Sequence, residues 1–312
     1  MYFKDKKIKG KKYRYAVKSI RIPNGKVASL EVSYKNQNKE ELEKIFEEKE
    51  KGKNYQYVIK TFKPDHILTI GEFKKIESIK IDYKKIVGKL SKVSLKDLLD
   101  RFTANFTYES NALEGNSLTL KDVAIVMFEN SSLRDKDLRE IYETRNSRVV
   151  VELIMDNKFS ISRENIIKIH KILVRDIGIL EGYKKVPNVI IGRDVKTTPP
   201  EKVEQEMNNL ISWYKENHGK IHPLKLSALF HGKFESIHPF EDGNGRVGRF
   251  LINAILTNNN YPPLIIRKSQ RVAYLKSLEN FDKNHSDTLE RFILERFKET
   301  YRKFFEIYVK YI

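Results

Sequence analysis

Apolar and polar positions alternate with a period near two over Tyr13–Ile22 and again over Val27–Tyr34. Pro23-Asn24-Gly25 lies between them and favours positive φ, so the two runs predict a β-hairpin. Glu40–Lys51 is a charged run with Leu42, Ile45 and Phe46 on one side, which predicts a helix; Tyr55–Phe62 predicts a further short strand ending before Pro64. From about residue 72 the apolar positions recur three and four apart. Ile76, Ile79, Ile81 and Ile86 lead into a helix over Val93–Asn105, and further helices are expected over Leu120–Glu129, Asp135–Met155 and Ser162–Val174. Gly182, Pro187, Gly192, Pro199 and Pro200 break the helical pattern and frame Val189-Ile190-Ile191, which predicts a β-hairpin or flap. Helices resume over Lys202–Glu216, Pro223–Ile237 and Arg246–Thr257. After Pro262-Pro263, two or three more run from Ser269 to about Tyr311. The expected fold is mainly α, with a small flap and a small α/β region at the N-terminus. The expected divisions are 1–65, 66–158 and 159–312.

Composition narrows the classes. Across 312 residues, 40% are hydrophobic and 11% aromatic, enough for a packed core. The chain has no Cys, which excludes disulfides, thiolate metal sites and a cysteine nucleophile. Met1-Tyr-Phe-Lys-Asp-Lys-Lys lacks an apolar core for a secretory leader, and no apolar run approaches ~20 residues, so a cytoplasmic protein without a membrane partner is expected. The net charge of +18 is uneven: residues 1–39 hold 12 Lys/Arg and 2 Asp/Glu. This region offers a surface for nucleic acid or another polyanion, or is simply a solvated lysine-rich face.

The densest chemistry is His238-Pro-Phe-Glu-Asp-Gly-Asn-Gly-Arg-Val-Gly-Arg249. Leu226, Leu229, Phe230, Phe234 and Ile237 before it, and Val247, Phe250, Leu251, Ala254 and Ile255 after it, fall at helical spacing. A glycine-rich turn thus leads into a helix N-terminus, where backbone N–H groups and the helix dipole favour an anion. Arg246 and Arg249 lie on one side of the first turn and suit phosphate oxygens. Asp242 offers a hard oxygen for Mg²⁺, which binds through few carboxylates plus substrate phosphates. His238 is the candidate general base. Gly243–Gly248 matches G-x-G-x-x-G, but a helix precedes it where a dinucleotide fold needs a strand. Asp242-x-Asn244 opens like an EF-hand, yet Arg246 stands at a ligand position; no P-loop occurs.

His238–Arg249 resembles the motif H-P-F-x-[DE]-G-N-G-R-x-x-R of the Fic family and matches every fixed position. The likeness takes in the flap at 182–200, His222-Pro223, Tyr261-Pro-Pro and Tyr274, or about residues 100–300. It implies a Fic-type helical core and AMP transfer from ATP to a Ser, Thr or Tyr hydroxyl of a target protein and of the chain itself. It further implies that His238 takes the hydroxyl proton and Asp242 holds Mg²⁺. Gly243, Asn244 and Gly245 would cradle phosphate, Arg246 would neutralise the leaving pyrophosphate, and Arg249 would grip the γ-phosphate. The flap residues Val189, Ile190, Ile191 and Gly192 would align the target by strand addition. Tyr274 is a candidate adenine contact, weighed against an aromatic in the core; His170 and His231 read as structural.

Upstream, Ser110-Asn-Ala-Leu-Glu-Gly-Asn116 places Ser110 and Glu114 on one helix face with Gly115 as a C-terminal cap. By itself it reads as a helix end. Beside the downstream motif it resembles the family's inhibitory motif [ST]-x-x-x-E-[GN], which implies that Glu114 pairs with Arg249 and removes it from the γ-phosphate. The expected function is an autoinhibited, Mg²⁺-dependent adenylyltransferase. Removal of AMP at the same site, with Glu114 orienting water, and a nucleic-acid-binding regulator acting through residues 1–39 stay open, as does a homodimer.

Overall fold

The structure is a computed structural model that describes residues 1–22, 25–129, 133, 135–155, 159–188 and 196–310. The chain divides into two compact units, 1–81 and 82–312.

In the first unit β1 (Tyr2–Ile8), β2 (Lys11–Arg21) and β3 (Val27–Ser33) form an antiparallel sheet in that order. Register pairs Ala16 with Val32, Lys18 with Leu30 and Ile20 with Ala28, so these residues share one face. Ala16, Ile20, Leu30 and Val32 bury that face against Leu42 and Phe46 of α1 (Lys39–Phe62). Asn38 and Glu41 start α1 with reciprocal side-chain-to-backbone bonds.

Two expectations are corrected here. Tyr55–Phe62 is not a strand but the continuation of α1. Leu42, Phe46, Asn54 and Val58, all buried, fall on one line at multiples of four, and burial of that line outweighs the local β-propensity of Tyr55–Ile59. The sheet also gains β1, which its largely exposed, lysine-rich sequence does not announce; backbone pairing with β2 places it there. Pro23 and Asn24 of the expected turn lie outside the described residues.

In the second unit the elements are the end of α2 (Ile70–Lys89), α3 (Lys92–Leu113), α4 (Leu120–Ala124), α5 (Leu138–Met155), α6 (Arg163–Leu173), α7 (Pro200–Asn217), α8 (Pro223–Ile237), α9 (Asn244–Asn258), α10 (Arg271–Asp282), α11 (Asp287–Thr300) and α12 (Glu306–Lys310). Ser91 and Ser162 cap α3 and α6 by accepting the N–H groups of Ser94 and Asn165. The centre is α9, buried at every position from Arg246 to Thr257. It packs on Leu226, Phe230 and Phe234 of α8 and on residues of α3, α5 and α6. Each such apolar side chain contributes roughly 1.5–3 kcal/mol by leaving water. The flap residues Val189, Ile190, Ile191 and Gly192 lie outside the described residues; Tyr183 before them makes an antiparallel bridge with Phe240.

Candidate active site

The site begins where α8 stops. His238 adopts the left-handed conformation (φ 51°), its N–H still bonded to the Phe234 carbonyl at 3.0 Å, and this reverses the chain. Its side chain is partly exposed, with Nδ1 3.9 Å from Glu235 Oε2. Phe240, fully buried, anchors the turn by stacking on His170 at 3.8 Å and 8° between planes.

Asn244 holds the turn closed. Its Oδ1 accepts the Phe240 N–H at 2.9 Å and its Nδ2 donates to the Phe240 carbonyl at 2.8 Å, so the side chain grips the loop rather than projecting from it. Asn188 Nδ2 donates to the same carbonyl at 2.8 Å. Gly182 N–H donates to His170 Nδ1 at 3.3 Å, so His170 Nε2 carries the proton it donates to the Asp242 carbonyl at 3.0 Å. Burial pushes the His170 pKa down to about 4, keeping this tautomer neutral at pH 7. Gly243 then caps α9 at φ 82°, a conformation costly for other residues, and carries no side chain to accept the first N–H groups of the helix.

Around that helix end stand the charged groups. Asp242 Oδ1 accepts the Gly243 N–H at 2.5 Å. Arg246, only 2% exposed, lies 3.2 Å from Glu143 and 3.7 Å from Asp242, and its Nε has no hydrogen-bond partner among the described residues. Arg249, buried too, donates Nε to Ser110 Oγ at 2.9 Å, and Nη2 to the Ser110 carbonyl at 2.9 Å and to Glu114 Oε1 at 2.7 Å. Burial opposes the Arg249 charge, but the negative groups around it, Glu114 foremost with Glu235 and Tyr274, together hold its pKa above the ordinary value. Glu114 is the C-cap of α3, followed by Gly115 at φ 101°. Its carboxylate lies over Gly245: a Cβ there would collide with Glu114 and Arg249, so only glycine admits the carboxylate this close to the helix backbone.

The fold thus brings together His238, Asp242, Gly243, Gly245, Arg246, Arg249, Ser110 and Glu114. Tyr274 lies inside the protein, 3% exposed, its hydroxyl 2.6 Å from His231 Nε2. Sequence reasoning missed Arg139 and Glu143 of α5, which contact Asp242 and Arg246. No local pattern marks them, since Arg139 is 103 residues from Asp242. It also missed the Lys184 ammonium, buried and donating to Asn188 Oδ1 at 2.7 Å and Thr197 Oγ1 at 3.0 Å. Beside the end of α8 a cleft of about 430 Å³ is lined by Trp213, Lys233, Ser236, Phe281 and Asp282 among others. No helix among the described residues is long and apolar enough to cross a membrane.

Residues 160–256 match the Fic/DOC family. The chain is 33% identical over 185 residues to a protein adenylyltransferase Fic of Nematostella vectensis, covering 58% of this chain and 43% of that protein. It is 29% identical over 198 residues to the protein of the same name in Drosophila melanogaster, covering 62% and 40%. The chain therefore spans less than half the length of these relatives. A crystal structure of a Fic-domain-containing signaling protein from Bacteroides thetaiotaomicron superposes with a TM-score of 0.66 at 27% identity, over 73% of this chain and 94% of that one. Fic-1 (residues 134–508) of C. elegans shares the fold, with a TM-score of 0.66 at 20% identity over 76% and 71%. The turn, its two buried arginines and nearly all of the helices α8 and α9 that carry them lie within the stretch, residues 160–256, that matches the Fic/DOC family.

Proposed function

We propose that this chain is an autoinhibited protein adenylyltransferase that transfers AMP from ATP to a hydroxyl of a target protein and of itself. The observation that carries the reading is the pair of buried guanidinium groups, Arg246 and Arg249, at the glycine-capped N-terminus of α9 beside His238. Two fixed cations and open backbone amides suit a polyphosphate. Because the groups are held before substrate arrives, they stabilise charge without reorganisation.

In the reaction, the target hydroxyl oxygen bonds to the α-phosphorus while the bond from that phosphorus to the α–β bridging oxygen breaks and pyrophosphate leaves. His238 takes the hydroxyl proton. Arg246 balances charge on the departing pyrophosphate, and Arg249 holds the γ-phosphate. The Gly245 N–H holds a phosphate oxygen, while Gly243 keeps its N–H on Asp242 Oδ1 and Asn244 keeps their loop in shape. The donor chemistry fits Mg²⁺, which takes hard carboxylate and phosphate oxygens. Asp242 supplies one carboxylate, as is usual where phosphates provide the other ligands. Bound there, the ion would neutralise phosphate charge. The cleft beside α8, with Trp213 and Phe281, supports a place for the nucleoside.

Glu114 is the brake. It occupies Arg249 and lies over Gly245, where the phosphates would bind. Incubation with α-labelled ATP and Mg²⁺ tests the reading: label transferred to protein by Glu114→Gly, weakly by the native chain and not by His238→Ala, is the expected result. No transfer by Glu114→Gly, with or without cell lysate, would sink it. A second reading, removal of AMP from a modified protein, is favoured by the position of the Glu114 carboxylate, 45% exposed and facing the turn, where it could orient water.

A further inference from the structure

Asp242 has two carboxylate oxygens, and the fold uses them differently. Oδ1 accepts the Gly243 N–H, so Oδ2 is the oxygen left for a cation. That position already faces one: Arg139 Nη2 stands 2.7 Å from Oδ2. Arg139 also lies 3.3 Å, through Nε, from Glu143 Oε1, the same oxygen that stands 3.2 Å from Arg246 Nη1. Arg246 Nη2 closes the circuit 3.7 Å from Asp242 Oδ2. Two carboxylates and two guanidinium groups thus alternate around a ring. Glu143 Oε2 accepts from Asn116 Nδ2 at 3.0 Å, which ties the ring to the end of the inhibitory segment.

The two guanidinium groups are not equivalent. Arg246 is 2% exposed and fixed by the surrounding helices, whereas Arg139 and Asp242 are 47% and 42% exposed. An exposed pair of this kind contributes little and is readily exchanged. Arg139 and Glu143 sit one helical turn apart on α5, so Arg139 can leave Asp242 without losing its contact with Glu143.

We propose that Arg139 is an internal counter-cation that holds the metal-facing oxygen of Asp242, and that it sets the affinity of the site for the divalent ion. A metal at Oδ2 and a guanidinium at the same oxygen repel, so binding transfers Arg139 wholly to Glu143. Arg139 is a positioning residue: it keeps Asp242 aimed at the α9 terminus before substrate binds, at the expense of metal affinity. The inference rests on the reading of Asp242 as the carboxylate that holds the metal.

The test is binding of Mn²⁺ to the full chain in the presence of α,β-methylene-ATP, whose P–C–P link prevents transfer, followed by the electron paramagnetic resonance signal of free Mn²⁺. Arg139→Gln should tighten Mn²⁺ binding about two- to fivefold, the range expected for releasing one exposed ion pair. Arg139→Lys, which keeps the charge, should stay close to native. Glu143→Gln, which removes the competing acid and leaves Arg139 on Asp242, should weaken binding. Unchanged or weaker binding by a folded Arg139→Gln would overturn the proposal, the weaker result making Arg139 a phosphate contact. Loss of binding in Asp242→Asn supports the placement of the metal independently; native-like binding in that variant would overturn that placement and the proposal with it.

Discussion

Glu114 and Arg249 are 135 residues apart in the chain and meet at 2.7 Å, the carboxylate at the C-cap of one helix and the guanidinium in the second turn of another. Ser110, one turn before Glu114, binds the same guanidinium through both its hydroxyl and its carbonyl. Arg249 is therefore held on one side by α3 and has one partner, Glu114, that competes with an incoming phosphate.

Removing that competitor should release activity. Glu114→Gly is expected to raise AMP transfer by at least tenfold, read as labelled protein per minute. Arg249→Ala should not mimic it, because it loses the phosphate grip with the brake. The double variant should behave as Arg249→Ala alone, the non-additivity of two residues acting through one contact. A native chain as active as Glu114→Gly would make Ser110–Asn116 no more than a helix end.

Loss of the base should be severe and local. His238→Ala should lower transfer by about 10²–10⁴-fold, the usual contribution of a general base, while circular dichroism and melting temperature stay near native. Near-native transfer by the folded variant contradicts the assignment.

Asn244→Ala should affect stability and turnover together. It strips the Phe240 N–H of its buried acceptor, at a cost of about 1–3 kcal/mol in denaturant unfolding. The loop carrying Asp242 and Gly243 then loses its brace, so transfer should fall even at saturating ATP. Full turnover by the variant would show that the turn holds its shape without this side chain.

The buried His170 gives a pH dependence. Its pKa is pushed down to about 4 in the folded chain from an ordinary value near 6.5, so the unfolded chain binds the extra proton first as pH falls. Its neutral form favours the fold above pH 6.5, and that contribution is lost as pH drops from 6.5 to 4, by on the order of 3 kcal/mol. Urea unfolding of the native chain and of His170→Leu across this range should give a flatter profile for the variant. Parallel profiles would remove His170 as the source.

How much of this could be read from the sequence follows from the range of the interactions. Ser162 and Val174 flank α6 where the 3.6-residue pattern puts them, because that signal acts within a few residues. Tyr55–Phe62 misled because β-propensity is also local, while the burial line from Leu42 to Val58 that overrides it spans the whole of α1. The turn from His238 to Arg249 was legible since its glycines, its acid and its arginines act on atoms a few residues away.

The sequence by itself determined the helical periods, the caps, and a turn whose residue types suit phosphate, metal and proton transfer. Tertiary structure decided what each charge faces. Only the packing of α3 on α9 brings Glu114 over Gly245 and onto Arg249, and only α5 brings Arg139 and Glu143 to Asp242 and Arg246. Packing of α10 on α8 likewise buries Tyr274 against His231. The physical reason is distance: spacing along one helix sets which residues share a face, but the partner of that face comes from a helix 100 or more residues away, chosen by the burial of apolar surface on both.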